Sequence, residues 1–276
     1  LDECTGSCRV HQMIRPKRRQ KAHASSEGCS DDDRSTCATD DEREGIQLRP
    51  VAIARPIKSS RGKGRLSSNR HQIMEIFCPP RFSALAHEFG MHPSIAFDLR
   101  SGWDFNDPDS VEYSWKCIEE MVPDMLFTSP KCSPFSSLSH WNRNKPGHIL
   151  SKEECLKHLK ECIKMMKHQV RIGKFFCHEH PLNATSWQVE EMKELMEMEG
   201  VQLVRCDQCM FDQGTWKGGV WMHALKPTGF LTNCPGVAEE LSRRCDGSHE
   251  HRPLVDGLAK QCEEYPPKLV KAFMVG

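Results

Sequence analysis

Residues 151–177 read SKEECLKHLKECIKMMKHQVRIGKFFC, and this stretch is the clearest helix-to-strand unit of the chain. Ser151 and Glu154 have the spacing of a capping box, in which each side chain bonds to the backbone N–H of the other residue. Apolar residues then recur every three or four positions, as on one face of a helix. They are Leu156, Leu159, Ile163, Met166 and Val170. Gly173 ends the predicted helix, and a short apolar strand follows at 174–177.

The same alternation of strands and helices extends on both sides of this unit. Strands are predicted at 73–77, 94–98, 124–128 and 201–204, and helices at 82–89, 109–121 and 186–199. Repeated βαβ units imply a doubly wound α/β domain, with a mostly parallel sheet covered by helices on both faces. Ligands of such folds bind beyond the carboxyl ends of the strands. The loops that begin near Cys78, Asp98, Ser129 and His178 are therefore expected to share one edge of the sheet.

The composition divides the chain at about residue 72. Every Phe, Trp and Tyr lies at or beyond Phe77, so residues 1–72 have too little apolar surface to offset the entropy of folding. These residues contain 15 basic and 10 acidic side chains, whereas the whole chain has 38 of each. We interpret residues 1–72 as a disordered basic tail and residues 73–276 as one domain. The basic run 15–21 is either a nuclear-import or nucleic-acid patch or a solvated segment.

The cysteine pattern indicates a reducing compartment. The 15 cysteines are odd in number and scattered, with one C-x-x-C pair at Cys206 and Cys209, unlike the framework of a disulfide-rich secreted domain. No apolar run approaches the length of a membrane span. We expect an intracellular protein, nuclear or cytoplasmic, without a membrane partner.

A cysteine follows the strand at 124–128 on a loop bounded by prolines, in the run SPKCSPFS at 129–136. Such a loop holds a thiol away from the core, where it can act as a nucleophile. A structural cysteine in a turn is the other interpretation. The run resembles the motif of cytosine-5 methyltransferases, Pro-Pro-Cys followed by Phe-Ser, with Lys131 in place of the second proline.

Two further segments occur in the order of that family's motifs. Glu179, beyond the strand at 174–177, is similar to the glutamate of a Glu-Asn-Val motif, with His180 and Pro181 in place of Asn and Val. The segment 265–272 resembles the last motif, in which Pro-Pro opens a helix that packs on the cofactor pocket. The resemblance covers roughly residues 73–211 and 226–274.

The resemblance implies a methyltransferase fold and transfer of a methyl group from S-adenosylmethionine to carbon 5 of cytosine in DNA or RNA. It assigns six residues: Cys132 and Glu179 as catalytic, and Phe77, Asp98, Trp103 and Asp104 as cofactor-binding. Cys132 would attack the base and Glu179 would contact it, while Lys131 would lower the pKa of Cys132 or meet a phosphate. The alternative for Asp98 is a cap or turn residue.

The chain also departs from the family. The loop after Phe77 reads Cys-Pro-Pro-Arg at 78–81, where the family has Phe-x-Gly-x-Gly, so close-approach glycines and two N–H donors are missing. Only residues 213–225 lie where DNA-methylating members insert a target-recognition domain. These departures favour a second interpretation, a methyltransferase-fold protein that has lost its cofactor and serves as a nucleic-acid-binding or interaction module.

The run CDGSHEH at 245–251 contains a further group of possible ligands. Cys245, His249 and His251, together with Cys206 and Cys209, are of the types that bind zinc. Cys-x3-His-x-His is not a common finger pattern, and the histidines would serve equally to contact phosphates or to fill an ordinary loop. We therefore predict no metal ligand from sequence, and keep a zinc-stabilised binding module as a third interpretation.

Overall fold

The computed structural model describes residues 72–92, 95–136 and 151–276. The predicted tail lies outside these residues except for Gln72, so its disorder stays a prediction. The Gln72 N–H donates to the Asp124 carboxylate at 3.1 Å, directly before the first strand.

Most strands of the described residues belong to one sheet. They are β1 (Ile73–Ile76), β2 (Ala96–Phe97), β3 (Met125–Thr128), β4 (Phe175–Pro181), β5 (Gln202–Asp207) and β8 (Pro227–Thr232), while β6 (Gly214–Lys217) and β7 (Val220–His223) form a separate hairpin. The order is β2-β1-β3-β4-β8-β5. β8 is antiparallel to both of its neighbours, and the other strands share one direction. The predicted α/β class with a doubly wound, mostly parallel sheet is confirmed.

Helices cover both faces of this sheet. They are α1 (Phe82–Leu85), α2 (Pro108–Met121), α3 (Lys152–Arg171), α4 (Glu190–Met196), α5 (Pro235–Leu241) and α6 (Pro267–Val275), with 3-10 turns at Ala86–Phe89, Leu99–Ser101, Ser133–Phe135, Thr185–Gln188, Gln208–Phe211 and Leu258–Cys262. Within the described ranges, no helix is both long and apolar enough to cross a membrane.

Two apolar cores follow from the alternation of side chains along the strands. One face contributes Met74, Leu126, Phe176 and Leu231, which pack with α2, α3 and α4. The other face contributes Ile73, Phe127, Cys177 and Phe230, which pack with α1, α5 and α6. A parallel sheet covered on both faces is the expected result of strands that are apolar on both sides.

The capping box predicted at the start of α3 is confirmed. The Ser151 hydroxyl accepts the N–H of Glu154 at 3.1 Å, and the Glu154 carboxylate accepts the N–H of Ser151 at 2.6 Å. Two other segments that were predicted as continuous helices are only partly α-helical. The helix predicted at 82–89 changes to a 3-10 turn after Leu85, and the helix predicted at 186–199 starts as a 3-10 turn and is α-helical only over Glu190–Met196.

The strand ends are aligned as predicted. Ile76 pairs with both Phe97 and Thr128, and Thr128 pairs with His178. The loops that leave β1, β2 and β3 therefore start at one edge of the sheet, beside the part of β4 that follows His178.

The predicted end of β4 at residue 177 was wrong. β4 continues to Pro181 because residues 177–181 pair with 228–232 of β8, a strand that the sequence analysis did not predict. Glu179 consequently lies within a strand, where its backbone is fixed on one side by β8, and not in a loop after the strand.

A buried carboxylate in β1 holds the loop that follows this strand. The Glu75 side chain accepts the backbone N–H groups of Arg81, Phe82 and Ser83, and also the Ser83 hydroxyl. Burial raises the pKa of Glu75, and the four hydrogen bonds oppose that rise. Glu75 thus fixes the start of α1 from beneath, which no local sequence pattern indicated.

We expect Glu75→Ala to lower the free energy of unfolding by about 2–4 kcal/mol, because it leaves several buried donors without an acceptor. Glu75→Gln keeps one acceptor oxygen and should lose less. Urea unfolding of both variants measures the effect, with Glu88→Ala on the exposed side of the same segment as the matched control. Equal unfolding midpoints for Glu75→Ala and the wild type would contradict this role.

Candidate active site

Cys132 lies four residues beyond β3, at the start of the 3-10 turn Ser133–Phe135. Its side chain is half-buried, while Lys131 before it is exposed. The loop is tied to β4 by His180, whose Nε2 lies 3.0 Å from the carbonyl oxygen of Pro130. A carbonyl only accepts, so Nε2 carries the proton, and Nδ1 accepts from the Ser186 hydroxyl at 2.6 Å.

His180 is therefore an uncharged anchor for the cysteine loop. It is fully buried, and this burial lowers its pKa, although the neighbouring Glu179 opposes the change. A neutral imidazole with one donor and one acceptor satisfies both of its partners without a buried charge. The sequence analysis treated His180 only as a departure from the family motif and missed this role.

Glu179 lies at the base of the same loop and is 8% exposed. Its carboxylate accepts a hydrogen bond from the Ser129 hydroxyl at 2.9 Å, and Ser129 in turn accepts from the Tyr265 hydroxyl at 3.4 Å. Burial is the main reason that the pKa of Tyr265 lies well above its ordinary value. The phenol therefore keeps its proton and can donate the hydrogen bond to Ser129. Two residues that the sequence analysis did not select, Ser129 and Tyr265, thus orient the predicted acid.

The Cys132 thiol is not intrinsically activated. Burial and, to a smaller extent, the negative charge of Glu179 raise its pKa to about 11, while the positive charge of Lys226 opposes this rise. Lys131, which the sequence analysis expected to lower this pKa or to contact a phosphate, instead opposes the rise that burial causes in the pKa of Cys155. Lys226 also lies 5.6 Å from the ring centroid of Tyr265 and donates to the Cys262 carbonyl at 2.6 Å. The cation beside Cys132 therefore comes from the start of β8.

Helix α6 begins at Pro267, as the Pro-Pro segment predicted. Its Phe273 packs on Phe82, with ring centroids 4.2 Å apart, and on Phe127 of β3 at 5.5 Å. Arg81 stacks on the Tyr265 ring at 5.0 Å. This packing sets Tyr265 over the strand ends.

The four predicted cofactor residues follow β1 and β2 at the same edge. Phe77 has a positive φ of 57°, and its N–H donates to the Phe97 carbonyl at 2.7 Å. Asp98 comes next after β2, and its backbone carbonyl accepts the N–H of Trp103 at 3.1 Å. Asp104 is exposed and accepts the N–H of Asn106 at 2.9 Å. Phe77, Asp98 and Trp103 are brought together, although their binding roles stay predictions.

Two of these side chains already have partners within the chain. Asp98 caps the turn Leu99–Ser101, where its Oδ1 accepts the N–H of Arg100 at 2.8 Å. This is the capping role that the sequence analysis gave as the alternative for Asp98. Trp103 stacks on Tyr113, with ring centroids 5.1 Å apart and planes 3° apart. A carboxylate beside an indole at this edge fits the adenosine part of S-adenosylmethionine.

The start of α1 fits the methionine part of that cofactor less well. The N–H groups of residues 81–83, which open the helix, are directed to Glu75 and are not available to a ligand carboxylate. Pro79 and Pro80 supply no donors. The residues present would therefore suit the adenosine end of S-adenosylmethionine better than its methionine end.

A second cluster lies apart from the cysteine loop. Cys209, Cys245, His249 and His251 each offer a ligand atom, and all four atoms lie within 4.8 Å of one another. Cys206, the partner of Cys209 in the C-x-x-C pair, is instead buried in the core with Phe211 and Phe230. The sequence analysis named the members of this cluster without separating Cys206 from Cys209.

Comparison with known proteins finds similarity among solved structures. No protein-family model and no curated protein sequence matches the chain. Among solved structures, the chain is similar to the S. pombe Dnmt2 methyltransferase, with a TM-score of 0.37 and 12% sequence identity over 66% of this chain. The match spans 59% of the Dnmt2 chain.

We expect the alkylation of Cys132 by iodoacetamide to accelerate about tenfold per pH unit above neutrality, because only the thiolate reacts and its pKa is about 11. Glu179→Gln should lower this pKa and speed the reaction at fixed pH. Lys226→Met should raise the pKa and slow it, whereas Lys131→Met is the matched control and should change little. Mass spectrometry of the Cys132 peptide gives the rates, and a pH-independent rate would contradict the assignment.

Proposed function

We propose that this chain is a divergent cytosine-5 methyltransferase that acts on DNA or RNA and uses S-adenosylmethionine as its methyl donor. The observation that supports this most directly is the link between the cysteine loop and Glu179: the Ser129 hydroxyl donates to the Glu179 carboxylate at 2.9 Å, and the charge of Glu179 contributes to the raised pKa of Cys132. The proposal includes an intracellular location, nuclear or cytoplasmic, where nucleic acid is present.

The cysteine acts as the nucleophile in this proposal. Carbon 5 of cytosine is too electron-poor to take a methyl group directly. The Cys132 thiolate forms a bond to carbon 6, and the electron pair of the ring double bond makes carbon 5 nucleophilic. After carbon 5 has been methylated, its proton leaves, the double bond reforms, and the sulfur–carbon 6 bond breaks to release the thiolate.

Glu179 serves as the positioned acid. Negative charge develops on the ring nitrogen next to the exocyclic amine when the thiolate adds, and the Glu179 carboxyl hydrogen-bonds or protonates that nitrogen. The hydrogen bonds from Tyr265 to Ser129 and from Ser129 to Glu179 fix the direction of the carboxyl group. Since burial keeps Cys132 largely protonated in the free protein, its proton has to leave as the base enters; the Glu179 carboxylate would accept this proton and deliver it to the ring nitrogen, and the positive charge of Lys226 would stabilise the thiolate.

The remaining groups would bind the two substrates. Phe77, Asp98, Trp103 and Asp104 would hold the adenosine end of S-adenosylmethionine, which supplies the methyl group when bound. The target base has to leave its stack, since carbon 6 is not accessible to a thiol inside a duplex. The hairpin β6–β7 occupies the place of a recognition domain, so sequence readout by this chain is limited.

One observation favours a second candidate function, a methyltransferase-fold module that binds nucleic acid or a protein partner without catalysis. Glu75 occupies the N–H groups at the start of α1, and Pro79 and Pro80 replace the glycines of the family's first loop. Both features weaken the methionine end of the cofactor site. Binding of the cofactor therefore separates the two candidates.

Calorimetry should show S-adenosylmethionine binding to the wild type, and Asp98→Ala should weaken it by about 1.5–3 kcal/mol through the loss of charge-assisted hydrogen bonds. Asp107→Ala is the matched control, because Asp107 caps α2 in the same way as Asp98 caps its turn. Asp107→Ala should leave the affinity unchanged. The absence of heat at millimolar cofactor would favour the second candidate.

Oligonucleotides that contain 5-fluorocytosine should trap the protein covalently in the presence of S-adenosylmethionine, because the fluorine blocks the final elimination. Cys132→Ser should abolish the trapped species, and Cys206→Ser should retain it. Glu179→Gln should slow trapping by about 10²–10⁴-fold. Gel electrophoresis under denaturing conditions reports the adduct with DNA and with RNA. An adduct that persists in Cys132→Ser would overturn the assignment of Cys132 as the nucleophile.

A further inference from the structure

We propose that Cys209, Cys245, His249 and His251 form a closed tetrahedral zinc site with a structural role. The proposal is independent of the methyltransferase function, since none of these residues belongs to the cysteine loop or to the predicted cofactor edge. It starts from the four ligand atoms, which lie within 4.8 Å of one another. It also changes the sequence-based expectation, which included no metal ligand.

Two separations between ligand atoms match the edges of a zinc tetrahedron. Zinc bonds of about 2.3 Å to sulfur and about 2.0 Å to nitrogen place a sulfur and a nitrogen about 3.6 Å apart at the tetrahedral angle. The Cys245 sulfur lies 3.7 Å from Nε2 of His249 and 3.4 Å from Nε2 of His251. The Cys209 sulfur lies within 4.8 Å of each of the other three ligand atoms. One ion at the centre would therefore reach all four atoms with little rearrangement.

Neighbouring groups orient the ligands as metal sites require. The Ser248 hydroxyl lies 3.3 Å from Nδ1 of His249, which leaves Nε2 of that ring for the ion. The Gly247 N–H donates to the Cys245 sulfur at 3.4 Å, and Gly247 has a φ of 76° that permits this tight turn. Backbone donors to a sulfur stabilise its thiolate form, which is the form that binds zinc.

The cluster also lies in a segment without regular secondary structure. Residues 242–257, between α5 and the turn Leu258–Cys262, contain no helix or strand beyond a single bridge of His251 to His223. Most of this segment is exposed, whereas Cys245, His249 and His251 turn inward. A long irregular segment in a compact domain needs an anchor. Zinc would tie it to Cys209, in the turn that follows β5.

The donor set selects the ion and its role. Two thiolates and two imidazoles are the ligands that zinc prefers, and they disfavour magnesium and calcium. Four protein ligands leave no position for water or substrate, so the site stabilises structure and does not catalyse. The two thiolate charges balance the charge of the ion. Asp207 stands beside the site, accepts the N–H of Cys245 at 3.0 Å, and is paired with Arg205.

The test measures metal in the full chain purified under reducing conditions. We expect about one zinc ion per chain, and X-ray absorption at the zinc edge should show two sulfur and two nitrogen ligands. Removal of the ion by a chelator should lower the thermal midpoint by more than about 5 °C, and added zinc should restore it.

Variants assign the ligands. Cys209→Ser and Cys245→Ser should lose the metal, whereas Cys206→Ser, the other member of the C-x-x-C pair, should keep it. His251→Cys should keep zinc and change the absorption spectrum to three sulfur ligands, which a merely structural histidine would not do. If the serine variants do not fold, the absorption spectra of the wild type and of His251→Cys still show whether these residues bind zinc. A metal-free wild type that zinc does not stabilise, oxygen-dominated ligation, or a Cys209–Cys245 disulfide would overturn the site.

Discussion

The insertion of β8 between β4 and β5 is the constraint on which the candidate site depends. Its antiparallel pairing with residues 177–181 carries β4 beyond the end of β3, so Glu179 is held on a paired strand. The same strand begins one residue after Lys226, the cation beside Cys132. One non-local pairing thus positions both charges that act on the thiol, and a shift of register by one residue would turn Glu179 to the opposite face.

Glu75 imposes a second constraint at the neighbouring strand. A buried carboxylate is stable when hydrogen bonds satisfy it, and Glu75 obtains them from the helix start that methyltransferases use for their cofactor. The loop is rigid for this reason, and the same donors are unavailable to a ligand. The start of α1 therefore departs from the family that the sequence resembles, whereas Cys132 and Glu179 match the residue types of its motifs.

Local patterns predicted what local interactions determine. The start of α3 depends on Ser151 and Glu154, three residues apart, and the strand before Cys132 is a continuous apolar run, so both were visible in the sequence. The extension of β4 depends on β8, about fifty residues away, and was not visible. Cys206 and Cys209 look equivalent as a C-x-x-C pair, and both are buried, yet Cys206 lies on β5 and packs in the apolar core whereas Cys209 lies on the following 3-10 turn with its sulfur in the Cys/His cluster.

The position of α6 has a consequence for the order in which the domain forms during synthesis. Phe273 closes the aromatic cluster over Phe82 and Phe127, although almost two hundred residues separate it from Phe82. Until α6 has left the ribosome, this face of the sheet has only α1 and α5 to cover it, and Phe82 and Phe127 lack their contacts with Phe273. Contacts so distant in sequence form late and slowly, and the nascent chain is prone to association in that interval. A domain built in this way exposes apolar surface for longer during synthesis than one that is closed by local contacts.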